Sequence, residues 1–194
     1  MINISTIKIP YDKLLARLGY LKAKTKLDAQ TQTLIKENLG LAEKLVKPKI
    51  AIVSEEIEVR GASVIFDDGY KIESKDIAKL LKGCFKAYGI AVTIGGAVEK
   101  KRNALIAKKE TFAALVFDAA GSVAVEELID SAAKQLQKKE NLTKRFSPGY
   151  GDWLLNAQPD FLKWIDAKKI GIELTPNFLM TPEKSVSAIV GVKR

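Results

Sequence analysis

The residues best suited to chemistry lie between positions 145 and 153, where the chain reads Arg145-Phe146-Ser147-Pro148-Gly149-Tyr150-Gly151-Asp152-Trp153. A guanidinium presents a planar fan of donors matched to a carboxylate or phosphate. Pro148 fixes one backbone angle, while Gly149 and Gly151 permit conformations closed to other residues and let a ligand approach the main chain. Tyr150 and Trp153 offer flat apolar faces with polar edges. Together these types suit a small ligand carrying an anionic group and an adenine-like ring. A surface turn with a salt-bridged arginine would use the same residues.

Other chemistries are excluded by what the chain lacks. Its 194 residues contain no histidine and one cysteine, Cys84. That removes an internal disulfide, multi-cysteine or imidazole metal sites, and Ser-His or Cys-His nucleophile pairs. Cys84, between Gly83 and Phe85, reads as a small buried residue. The formal charge of +9 favours an anionic partner, be it nucleic acid, an acidic protein or a phosphorylated ligand. The lysines are scattered, with clusters at Lys100–Arg102 and Lys138–Lys139, and none is interleaved with stacking aromatics, so nucleic acid ranks last. No signal peptide or bilayer-length apolar run is evident, which gives the expectation of a cytoplasmic protein without a membrane partner.

The elements that must hold the 145–153 segment follow from periodicity. Ile2-Asn3-Ile4 suggests a short strand, and Pro10 introduces a helical turn through Leu14, Leu15 and Leu18. Asp28 caps a helix that Pro48 ends. Residues 49–53 and 57–66 look like strands, with a turn at Asp67-Asp68-Gly69. Ser74 caps a short helix stopped by Gly83, and Tyr88–Ile94 is a buried-type strand. Ala97–Glu140 is helical with a break near Lys109, and its Phe112–Val125 stretch is apolar enough to be enclosed by protein. After the 141–158 loop, Pro159 starts a helix, and Ile172–Leu174 and Ser185–Val192 are final strands. The irregular alternation indicates an α+β arrangement rather than a doubly wound sheet.

The 145–153 segment also carries a family likeness. Arg145, Gly149 and Tyr150 match the Arg-x-x-x-Gly-Tyr signature with which the activation domain of cobalamin-dependent methionine synthase binds S-adenosylmethionine. At a compatible distance, Ile172–Ser187 resembles that family's L-T-x-x-x-x-M-x-P-x-x-S-V-S segment at Leu174, Thr175, Met180, Pro182, Ser185, Val186 and Ser187. The likeness is good over residues 110–190 and diffuse before them. It implies a single activation-type domain over 1–194, with an N-terminal helical segment (1–47) and an α+β core (48–194) built as a twisted, mainly antiparallel sheet against long helices.

The resemblance further implies roles for named residues. Arg145 would bind the ligand carboxylate, and the Phe146–Ser147 backbone, with Gly149, the adenosyl part. Glu126, with Glu127 as its rival, would hold a cationic or hydroxyl group. Tyr150, the residue nearest the reaction, would lie by the methyl donor and the corrin face. The cobalamin-module signature Asp-x-His-x-x-Gly cannot exist without histidine, so cobalamin is expected on a partner: a methionine synthase or other corrinoid protein, served by a flavodoxin- or ferredoxin-like reductant. The function so implied is a stand-alone reactivation subunit for reductive methylation of cob(II)alamin, a component of a methyltransferase in methionine biosynthesis. The alternative is a non-catalytic docking module that recognises the corrinoid protein without S-adenosylmethionine.

Overall fold

Local chemistry places the helix starts. In the computed structural model, which describes residues 4–20 and 26–194, α1 spans Tyr11–Arg17 and α2 spans Ala29–Leu45. Asp28 caps α2, its carboxylate accepting the Thr31 N–H at 2.8 Å and the Thr31 hydroxyl at 2.7 Å, which satisfies donors that the first helical turn cannot. The strand expected at Ile2–Ile4 falls mostly on residues outside those described, and Ile4–Ile9 runs into α1 without strand pairing.

The sheet is longer in its strands than the sequence suggests. β1 (Lys49–Arg60) is one continuous strand, not two pieces, because Ser54, Glu56 and Glu58 are the solvent side of an alternation whose other side carries Val53, Ile57 and Val59. The chain reverses at Gly61-Ala62, with Gly61 at φ 62°, into β2 (Ser63–Phe66). The Asp67-Asp68-Gly69 turn leads to β3 (Lys71–Glu73). Ser74 caps α3 (Lys75–Leu80) by accepting the Ile77 N–H at 3.0 Å. β4 (Cys84–Thr93) begins four residues before the expected Tyr88. α4 (Ala97–Ala107) and α5 (Thr111–Gln137) are separated by a break in which Lys109 takes φ 62°.

Past α5 come β5 (Asn141–Leu142), α6 (Gln158–Ile165) with a proline in its first turn, β6 (Glu173–Leu174), β7 (Met180–Thr181) and β8 (Ser185–Lys193). Six strands form one antiparallel sheet in the order β3-β2-β1-β4-β8-β5, while β6 and β7 make a separate hairpin. Its first arm lies within the strand expected at Ile172–Leu174; the second, Met180–Thr181, and with it the hairpin, was not anticipated, since it is only two residues long.

Alternation along the central strands builds two cores. Ile90, Val92, Ala188 and Val190 face α1, α2, α4 and α5, joined by Leu14, Ile35, Phe117 and Leu128. Ala87, Ala91 and Ile189 face the other way, against α3 and α6, with Phe66, Ile77, Trp153 and Phe161. The apolar stretch of α5 is buried at Ala113, Val116, Phe117, Ala120 and Ala124, but Leu115 is exposed, so that helix is covered on most sides and not all. On the opposite face, the Trp164 ring sits over Gly89, where an added Cβ would fall 2.4 Å from ring carbon Cζ3. Among the described residues no helix is long and apolar enough to cross a membrane.

Candidate functional site

The 145–153 loop is fastened at both ends. Leaving β5, it lies along β8: Phe146 N–H donates to the Ile189 carbonyl at 3.0 Å and Ile189 N–H returns to the Phe146 carbonyl at 2.8 Å. Three residues earlier, the Thr143 hydroxyl accepts the Gly191 N–H at 2.9 Å. Gly149, at φ 94°, closes a turn by donating to the Trp153 carbonyl at 2.7 Å. Beyond it the loop docks on the start of α3. Asp152 accepts from the Ser74 hydroxyl and from the N–H groups of Lys75 (2.7 Å) and Asp76 (3.2 Å), bonds that hold its carboxyl below the usual carboxylate range. In return, Asp152 N–H donates to the Asp76 carboxylate at 3.1 Å. Gly151, at φ 53°, packs directly against that carboxylate.

This fastening makes one wall of a cleft of about 810 Å³. Arg145, Phe146, Ser147, Pro148 and Tyr150 line that wall, beside Ser185 and Ser187 of the strand to which the loop is paired; Leu179, Met180 and Glu183 line the other; Glu126 from α5 and Gln158 from α6 complete it. The two segments that carry the family likeness, remote in sequence, therefore face each other across one space. Tyr150 is 68% exposed and lies edge-on to the Phe146 ring, with centroids 6.5 Å apart. Trp153 corrects an expectation. It is 2% exposed and packs edge-on to Phe161, so it is core and offers no face to a ligand. The Phe146 backbone is likewise engaged in pairing with β8, so Phe146 offers the cleft its ring and not the main-chain groups expected of it.

The charges are partly paired. Arg145 Nη2 donates to Asp130 at 2.8 Å and to Glu126 at 3.3 Å. Glu127, the rival of Glu126, instead pairs with Lys13 on α1. Asp130 was not singled out from the sequence, yet its spacing of four from Glu126 puts both on one face of α5. On the far wall Arg102 forks onto Glu183 (2.6 and 3.0 Å) and also reaches Asp118 (2.9 Å). Lys184 joins Asp118 at 2.8 Å and Ser122 at 2.9 Å. Arg102 holds the Glu183 carboxyl below its ordinary range. Partial burial pushes Asp118 up, but the bonds from Lys184 and Arg102 outweigh it and the carboxyl stays low.

Two further lining residues carry no expected ligand role: Gln158, which nothing in the sequence marked, and Ser187, which entered only as part of the family likeness. Gln158 is buried and donates its amide to the Phe178 carbonyl at 2.8 Å, which ties α6 to the β6–β7 hairpin. Ser187 is 2% exposed, and its Oγ meets no hydrogen-bond partner among the described residues. Its neighbour Ser185 is by contrast satisfied, bonded to the Pro182 carbonyl at 2.6 Å and the Thr93 hydroxyl at 2.9 Å. A buried, unsatisfied hydroxyl costs stability unless something else bonds it. No group of three or more acidic or cysteine side chains placed to hold a metal occurs among the described residues.

No family model matches the chain, and no curated protein matches it in sequence. Among solved structures, it is similar to the crystal structure of the MetH reactivation domain bound to AdoHcy, with a TM-score of 0.63 and 17% identity, over 93% of this chain and 69% of that one. The helices, the antiparallel sheet and their order thus form the α+β fold of the MetH reactivation domain.

Proposed function

We propose that the chain binds S-adenosylmethionine in the cleft between Arg145–Tyr150 and Leu179–Ser187, and that it supports reductive methylation of a cobalamin carried by a partner methionine synthase or related corrinoid protein. The observation that carries this reading is the meeting of both likeness-bearing segments in one cleft of a size suited to a nucleoside ligand, in a fold whose solved relative is bound to AdoHcy.

The donors present fit such a ligand. Arg145 makes both of its acid contacts through Nη2, which leaves Nε and Nη1 for a ligand carboxylate. Glu126 is half-exposed and only loosely held at 3.3 Å, so it serves the sulfonium or ammonium charge. The Ser187 hydroxyl supplies a buried hydrogen bond that the protein itself does not use. Ser147 and Gly149 supply main chain for the adenosyl part, and the Phe146 ring an apolar edge. When bound, the ligand supplies an electrophilic methyl group and the partner's cobalt the nucleophile. The chain's contribution is to orient the sulfonium and exclude water. Tyr150 and Leu179, 68% and 56% exposed at the cleft, give its mouth an apolar rim for a partner's corrin face. The net charge of +9 favours an acidic corrinoid protein and a flavodoxin- or ferredoxin-like reductant.

Titration calorimetry tests the ligand. S-adenosylmethionine gives a saturable signal, and Arg145→Ala weakens it by about 1.5–3 kcal/mol, roughly ten- to hundredfold, as for a lost charged hydrogen bond. No heat at millimolar ligand rejects the reading. The pairing of Arg145 with Glu126 and Asp130 favours a second one, a docking module in which the guanidinium is structural. In that case a cobalamin-loaded partner is retained equally with and without S-adenosylmethionine, and Arg145→Ala changes stability but not retention.

A further inference from the structure

The main sheet leaves one long strand edge open. β1 pairs with β4 from Lys49 to Glu56, but with β2 only from Ile57 to Arg60. Among the described residues no strand lies beside the other edge of 49–55. Asp67 N–H reaches the Glu56 carbonyl from the β2 side at 3.2 Å, so the even-numbered residues of β1 direct their N–H and C=O groups that way. Ile50, Ile52 and Ser54 accordingly present backbone groups outward, and none of these meets a backbone partner among the described residues.

A cavity of about 610 Å³ runs along this edge. Ile50, Ala51 and Ile52 line it in succession; because successive strand residues point to opposite faces, a space touching all three follows the strand's side. Leu136 at the end of α5 and Ile165 and Ile170 around the end of α6 supply apolar rims. Proteins blunt their edges with short strands, prolines or charges. The outermost strands here, β3 and β5, are three and two residues long, whereas Ile50-Ala51-Ile52-Val53 is extended, rich in β-branched residues and free of proline.

We propose that the open edge of β1 takes an extended segment of an acidic partner protein by strand addition. Main-chain hydrogen bonds from Ile50, Ile52 and Ser54 give the register, and alternate side chains of the guest enter the apolar rims. The charge selects the partner. Lys169 in the groove is paired with Asp166, but Lys139 beside it and Lys49 at the start of the strand form no ion pair among the described residues, which leaves the edge positive. A second copy of this chain would bring like charge to a molecule already at +9.

Backbone amide exchange on the full chain tests this, with two synthetic probes: a capped peptide alternating Glu and Val, and its Lys-Val counterpart. The Glu-Val peptide slows exchange at Ile50, Ile52 and Ser54 by about tenfold or more, while Ala51 and Val53, already bonded to β4, are unchanged. Ser54→Pro removes an outward N–H from an exposed position and abolishes the effect. Lys139→Glu/Lys169→Glu, on the surface, weakens it and decides the matter if the proline variant does not fold. Equal protection by the Lys-Val peptide, or protection by neither, overturns the proposal. So does concentration-dependent protection of the same amides without peptide, with dimers in sedimentation, since the occupant would then be a second copy.

Discussion

Replacing Gly151 with alanine separates two costs that the loop now avoids. Gly151 sits at φ 53°, and a Cβ there would lie 2.1 Å from the Asp76 carboxylate Oδ2. Holding alanine in the left-handed region costs about 1–2 kcal/mol. The carboxylate must also swing away, which forfeits its bond from Asp152 N–H, an exposed contact worth about 1 kcal/mol. Gly151→Ala should therefore destabilise by about 2–3 kcal/mol in urea unfolding, and Asp76→Ala alone by about 1 kcal/mol. In the double variant that bond is lost once, not twice, and the total stays near 2–3 kcal/mol, about 1 kcal/mol short of additivity. The Phe146 ring lies 3.3 Å from the same Cβ, so Gly151→Ala also weakens S-adenosylmethionine in calorimetry. Strict additivity of the two substitutions would refute the claim that Asp76 occupies the space a side chain needs.

Ser187→Ala removes an unsatisfied buried hydroxyl, so unfolding free energy should hold or rise; affinity for S-adenosylmethionine should nonetheless fall by about fivefold, and an unchanged affinity would remove Ser187 from the site. Gly89→Ala drives a Cβ into Trp164 and Ile165 and should cost about 1–3 kcal/mol by overpacking, with altered tryptophan emission from the folded state. The Arg102 network sets an acid limit. The Glu183 and Asp118 carboxyls are lowered in the folded state, so their stabilisation is complete above the unfolded carboxylate range near about 4 and is lost as pH falls through the lower folded values. The melting temperature should drop more steeply between about pH 5 and about pH 3 in the parent than in Arg102→Met; parallel curves would show that the network contributes nothing.

What the sequence disclosed was local. Asp28 and Ser74 cap the helices they precede because an N-cap needs only the next three residues. The α+β class followed from period and spacing; Glu126 came from the family likeness, as the counterpart of a glutamate there, and it lines the cleft while its rival Glu127 pairs with Lys13. The misses depend on partners far along the chain. Trp153 looks like a ligand platform until Phe161 claims it, and Phe146 until Ile189 takes its backbone. β1 was cut at Ser54-Glu55-Glu56 because polar and acidic residues within a strand read as a break when the sheet that buries the other side is unknown. Gln158 and Asp130 lie in ordinary helical sequence, and only the fold gives them a cleft to face.

The two sides of the cleft differ in how they are anchored. Arg145–Ser147 is zipped to β8, the strand that also furnishes Ser185 and Ser187, so these parts form a single hydrogen-bonded jaw. Leu179 and Met180 belong to a hairpin with two-residue arms, latched by the Gln158 amide and side-chain packing. On the proposed function, guests of different girth would be accommodated by that second jaw, placing size selectivity in the hairpin and recognition of charge at Arg145 on the first.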